Sequence, residues 1–251
     1  MKAFTQIFLA SIDDVKNKFS LYLKYLALPF IALVLFEVFE DSFVINLPGV
    51  ELAPASDKMP AVTLETQSIF SDLIAIIIYV FLEINLAFVT HKVTLNKQSD
   101  ISIIDGLIWR KKHIPFIKAF FILVGISLLM LIPFILLFFF ASLASPEFIS
   151  EESELNISLF FLTIALPFIY IFSRYSLIAP AAAANKSIKL ADSFSLSKGY
   201  GWVIATLTFI IPTLFELLLN ATPFTLSTIL INISLIFSII LLTNCYKHIK
   251  T

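Results

Sequence analysis

The sequence predicts an all-α protein that crosses a lipid bilayer six times. Three observations carry the prediction: six long apolar runs, a composition outside the range of water-soluble domains, and loops whose charge alternates in sign. The chain is 59% hydrophobic and 14% charged, with a mean hydropathy of +0.96. Soluble domains carry about 25% charged residues. Of 17 Lys and Arg residues, Lys58 alone falls in an acidic loop. Apart from Arg174 inside the fourth run, the others crowd the N-terminus, the second and fourth loops and the C-terminus. Positive side chains are retained on the cytoplasmic face during insertion, so both termini are expected inside.

The runs cover about residues 21–39, 69–90, 116–141, 159–178, 202–219 and 226–246. Each is near the ~20 residues a helix needs to cross ~30 Å of hydrocarbon. None shows the period-2 alternation of a β-barrel strand, and a backbone in lipid must satisfy its own hydrogen bonds. The 251 residues therefore read as one integral membrane domain with no room for a separate soluble enzyme. The net charge of −1 includes no basic domain of the kind nucleic-acid binding needs.

Before the first span, Phe4, Phe8, Ile12, Val15 and Phe19 recur at helical spacing with Gln6, Asp13, Lys16 and Asn17 between them. That pattern predicts an amphipathic helix lying at the cytoplasmic interface. Asp13 and Asp14 argue against a cleavable signal. The arrangement returns before span three, where Ile101, Ile104 and Ile108 share a face, and before span five, where Ile188, Ala191 and Phe194 do. Both later stretches begin with an Asn-Lys pair (Asn96 and Lys97, Asn185 and Lys186), and in both an Asp stands six residues before a Lys. The chain thus reads as a threefold repeat of an interfacial helix, a span out and a span back.

Pro29, Pro133, Pro167 and Pro212 each remove a donor inside a span and are expected to bend the helix to fit its neighbours. The acidic loops, one with Pro48, Gly49, Pro54 and Pro60 and one with Glu147, Glu151, Glu152 and Glu154, read as irregular and solvated. Cys245, the lone cysteine, is expected to be a packed thiol.

Charges at membrane depth cost about 2.5 kcal/mol or more and mark candidate sites. Glu83 in span two and Arg174 in span four lie at comparable depth, which predicts an ion pair with Asn85 and Tyr175 as further partners. Glu216, in the outer half of span five, is a second candidate for a transport path. Glu37 can reach the outer interface, and Asn220, Asn232 and Asn244 suit interhelical hydrogen bonds. His91, His113 and His248 are expected beside the inner headgroups, with Trp109 and Trp202 as anchors at that level. Arg110, Lys111, Lys112, Lys186, Lys189 and Lys198 form a basic rim suited to anionic lipid headgroups. No phosphate cradle, serine elbow or zinc-helix pattern is present, so no catalytic residue, metal site or cofactor is assigned.

The segment 174–203 has Ala179 and Pro180 closing the fourth span, an amphipathic turn from Ala191 to Leu196 with Ser193, and Trp202 opening the fifth. With the order of elements, it resembles the YciC family of bacterial six-span inner-membrane proteins. It is also similar to the membrane domain of some glycerophosphodiester phosphodiesterases. Such families often carry a basic residue where Ser195 stands here. The resemblance implies a bacterial inner-membrane location and no established activity; no phosphodiesterase domain is attached. The leading expectation is a non-enzymatic protein that binds or organises membrane lipids, anionic ones included. The alternative is a transporter of a small solute or lipid through a path near Glu83, Arg174 or Glu216.

Overall fold

The computed structural model describes residues 2–39, 62–144, 154–186, 188–219 and 223–250. Every regular element among them is helical: α1 (Lys2–Asn17), α2 (Phe19–Phe39), α3 (Val62–Thr94), α4 (Ile114–Ala144), α5 (Glu154–Tyr175), α6 (Ile178–Ala183), α7 (Leu190–Leu196), α8 (Gly201–Ala205), α9 (Ile211–Leu219) and α10 (Phe224–Lys250). Six segments are long and apolar enough to cross a membrane: Phe19–Phe39, Asp72–Thr94, Lys111–Pro133, Ala165–Ala183, Gly201–Leu219 and Phe224–Lys250. This is the architecture of a multi-pass membrane protein. Residues 40–61, with Lys58, residues 145–153 and Asn220 lie outside the described residues, whereas Glu154, expected in a loop, opens α5.

Proline acts differently at different sites. Pro29, Pro133 and Pro167 sit inside helices that continue through them. Ahead of Pro212, the fifth span instead widens into a π turn, Thr206–Ile210, between α8 and α9. A π turn shifts the ladder where proline withholds its donor, and Thr208 Oγ1 donates to the Ile204 carbonyl at 2.7 Å within it.

α3 is the hub, packing against α2, α10, α4 and α6, while α5 packs against α8, α4 and α7. One core joins Tyr22, Leu26, Leu33 and Phe36 of α2 to Ile84, Phe88 and Val89 of α3 and to Phe116 of α4. A second joins Ile7 of α1 to Ala181, Ile204, Leu207, Leu241 and Cys245. Cys245 is therefore a packed thiol. Outside these cores the apolar surface faces outward, with Leu129 68% and Leu218 75% exposed, as suits side chains solvated by lipid. Hydroxyls buried within helices donate back along the same helix, as Thr90 does to Leu86, Ser238 to Ser234 and Thr243 to Ile239.

α1 is amphipathic, but Ile7 and Ser11 are its most buried residues and Phe19 is exposed. The face turns toward α10 because polar groups fix it there. Asn244 Nδ2 donates to Ser11 Oγ at 3.1 Å, and Asp14 pairs with Lys247 at 2.8 Å and with Lys18 at 2.7 Å. Burial alone would raise the Asp14 carboxyl; the two lysines outweigh it and hold it below the usual carboxylate range.

The expected amphipathic helix over 101–112 is not an α-helix. It is three short 3₁₀ turns, Gln98–Asp100, Ile103–Gly106 and Lys111–His113. The cause is close packing at Gly106, where an added Cβ would lie 2.6 Å from Cγ of Pro29. Pro29 lies about 15 Å along α2 from Phe19 at 1.5 Å per residue, so this segment enters the bundle rather than lying across its end. Trp109 accordingly meets Phe81 of α3, with ring centroids 4.9 Å apart.

Candidate functional site

The two Asn-Lys pairs end helices in the same way. Asn96 and Asn185 adopt φ of 58° and 59°, the left-handed region that asparagine tolerates better than most residues. Lys97 N donates to the Lys92 carbonyl and Asn96 N to that of Val93; Lys186 N donates to Ala181 and Asn185 N to Ala182. These are the paired bonds of a Schellman cap, and each leaves a lysine just past the helix end. An Asp then caps the next turn in both stretches, with Asp105 accepting from Ser102 N and Asp192 from Lys189 N at 3.3 Å.

The stretches differ in what anchors them. Asp105 is fully buried and carries the first: Lys112 Nζ donates to it, and Arg110 Nε lies 3.6 Å away. Burial would raise its carboxyl, but the Lys112 charge and the Ser102 amide hold it below the ordinary range. Arg174 carries the second. Its guanidinium donates to the Phe194 carbonyl and to Ser197 Oγ at 3.2 Å and lies 3.5 Å over the Phe194 ring. Ser193 Oγ completes the anchor by donating to the Arg174 carbonyl at 2.9 Å.

Arg174 thus does not pair with Glu83, contrary to the expectation from depth. Comparable depth does not make neighbours: α3 packs chiefly against α2 and α10, and α5 against α8. Tyr175 meets the Phe194 ring instead, and the Asn85 amide is buried with no hydrogen-bond partner among the described residues. Glu83 stands one turn after Tyr79 on α3, and Glu37 of α2 is an electrostatic neighbour of both. Asn232 Nδ2 of α10 donates to Glu37 Oε2 at 2.7 Å. Glu37 and Tyr79 line a cleft of about 380 Å3 with Ala75, Ile76, Phe224 and Thr228. The Tyr79 to Glu83 spacing of four was the available signal for this group. Glu216 is on α9 among exposed Leu214, Leu217 and Leu218, away from that cleft.

The histidines are not all at the surface either. His91 is buried, with Nδ1 2.6 Å from Thr243 Oγ1, and His113 is buried between the Arg110 amide and the Asp105 carbonyl. His248 meets the Tyr200 ring. Trp109 and Trp202 do lie partly exposed, packed on Phe81 and Tyr170.

Of the six rim cations, Arg110 and Lys112 belong to the Asp105 anchor, while Lys111, Lys189 and Lys198 are exposed. Lys186 lines a cleft of about 600 Å3 between α4 and α6, with Lys118 and Asn185 at its mouth. Ile114, Ala119, Ile122, Ile178 and Ala182 form its walls. Lys118 was not among the expected headgroup residues; its position one turn after Ile114 on α4 was the signal. Cationic groups over an apolar trough suit an amphiphile with an anionic head.

No protein family, curated protein or solved structure matches this chain.

Proposed function

We propose that this chain is a non-enzymatic multi-pass protein of a bacterial inner membrane, of the YciC-like kind, that binds and organises anionic lipid. Its N- and C-termini and its basic end face the cytoplasm. The observation that carries the reading is the cleft between α4 and α6, with Lys118 and Lys186 at the mouth and aliphatic walls below. An ammonium at such a site contributes about 1 kcal/mol toward an anionic headgroup. The matching caps at Asn96 and Asn185 support a repeated unit that brings two lysines to corresponding places. Native mass spectrometry of the purified chain tests the reading. Phosphatidylglycerol adducts are expected on the wild type and lost from a Lys118→Glu, Lys186→Glu variant of unchanged melting temperature; adducts that persist on the variant would refute it.

A second reading, transport of a small solute or lipid, is supported by the cleft at Glu37 and Tyr79, one turn of α3 from Glu83. Arg174 and Glu216 lie elsewhere and lend it no support. Metabolite profiles of a deletion strain complemented with wild type or Glu83→Gln test it: transport requires the profiles to differ, and identical profiles exclude a path through Glu83.

A further inference from the structure

The end of the bundle opposite the basic rim carries a cleft of different character. Glu37 of α2, Tyr79 of α3 and Phe224 and Thr228 of α10 line about 380 Å3, with Ala75 and Ile76 completing the wall. Among the described residues, no Lys, Arg or His lines it. Lys247, the first lysine along α10 after Thr228, is about 28 Å away at 1.5 Å per residue, too far to neutralise the carboxylate by contact. The carboxylate is held in place. Asn232, only 1% exposed, donates from Nδ2 to Glu37 Oε2 at 2.7 Å and to the Thr228 carbonyl at 3.0 Å, which ties α2 to α10 at this level. A carboxylate offers about four acceptor sites, so one amide leaves it capacity for a ligand.

The lining selects the class of ligand. An anion would meet the Glu37 carboxylate. A hard metal cation takes about six oxygens, whereas most of this wall is aromatic or aliphatic, and among the described residues no group of three His, Cys, Asp or Glu could hold a metal. An alkylammonium matches every part. Its N–H groups can donate to the Glu37 carboxylate and the Thr228 hydroxyl, its charge is favoured beside the Tyr79 and Phe224 rings, and its hydrocarbon can rest on Ala75 and Ile76.

We propose that this cleft binds a primary alkylammonium, that of a free amine or of the ethanolamine head of a lipid, with Glu37 as its anionic partner. The site goes beyond the anionic-lipid reading and shares its cleft with the transport reading without requiring passage through it. Identical metabolite profiles in the Glu83 test would exclude conduction and leave the ammonium site standing.

The test is a titration of the full chain in deuterated detergent, read by ligand-observed NMR, with n-butylammonium, n-butanol, tetramethylammonium and short-chain phosphatidylethanolamine. A charge-assisted hydrogen bond predicts n-butylammonium binding about tenfold tighter than n-butanol, and tighter than tetramethylammonium, which has no N–H to donate. Glu37→Gln keeps an acceptor for Asn232 and should lose that advantage, while Lys186→Gln, at the other end of the bundle, retains it. Thr228→Val, close to isosteric, should weaken n-butylammonium by about threefold, and it decides the matter if Glu37→Gln lowers the melting temperature. Tighter Glu37-dependent binding of phosphatidylethanolamine than of n-butylammonium assigns the lipid head, and the reverse order assigns a free amine. Equal binding of n-butylammonium and n-butanol, affinity that survives Glu37→Gln or is untouched by Thr228→Val, or failure of both amines to bind overturns the proposal.

Discussion

The stretches 96–113 and 185–201 begin alike and are anchored by opposite means. Each opens with a left-handed Asn, a Schellman cap and a carboxylate that caps the following turn. The first is then fixed by buried ionic contacts around Asp105, and the second by Arg174 gripping neutral carbonyl and hydroxyl groups. Turn geometry is local and can recur wherever the same few residues recur. The anchor depends on what lies beneath: Pro29 and Phe81 under the first stretch, Tyr170 and Arg174 under the second.

The largest expected effect breaks the second anchor. Arg174→Gln removes two hydrogen bonds from a charged donor and a cation–π contact, which predicts a loss of about 3 kcal/mol, read as the melting temperature in detergent. Asp105→Asn breaks the first and predicts about 2 kcal/mol, discounted because Lys112 and Arg110 still reach solvent. Asp192→Asn, its exposed counterpart, should shift stability by less than about 0.5 kcal/mol. An equal loss at both aspartates would erase the contrast.

Acid sharpens the comparison. Because the folded Asp105 carboxyl is depressed, its contribution is complete above the unfolded carboxylate value and is lost as pH falls through the folded one. The melting-temperature gap between wild type and Asp105→Asn should thus be full at neutral pH and close below about pH 4. For Arg174→Gln the gap should stay constant over that range.

The shared caps give smaller effects than either anchor. Asn96→Ala and Asn185→Ala each predict a loss of about 1 kcal/mol, while the Gly substitutions stay within about 0.5 kcal/mol. A double-mutant cycle on Glu83 and Arg174 should be additive within about 0.5 kcal/mol, since the two do not meet.

Much of the fold was legible because lipid imposes length and apolarity on each span, and six suitable helices are present. Asn232 and Asn244 do bond across helices, to Glu37 and Ser11. Which helices adjoin was not legible. Depth follows from position in a span, but the partners of Glu83 depend on azimuth and on helix order, which one sequence does not encode visibly. The 3₁₀ turns escaped for a related reason: Ile101, Ile104 and Ile108 keep helical spacing, while the constraint is Gly106 against a proline 77 residues earlier. The cleft likewise needs α4 and α6 side by side, so Lys186 could be named from its charge and Lys118 could not.

Ser11 and Asn244, whose side chains clasp α1 to α10, are separated by 233 residues. During translation α1 leaves the ribosome long before its binding surface exists. Until α10 arrives, its apolar stripe lacks that clasp, so docking of this amphipathic segment is completed late in biogenesis.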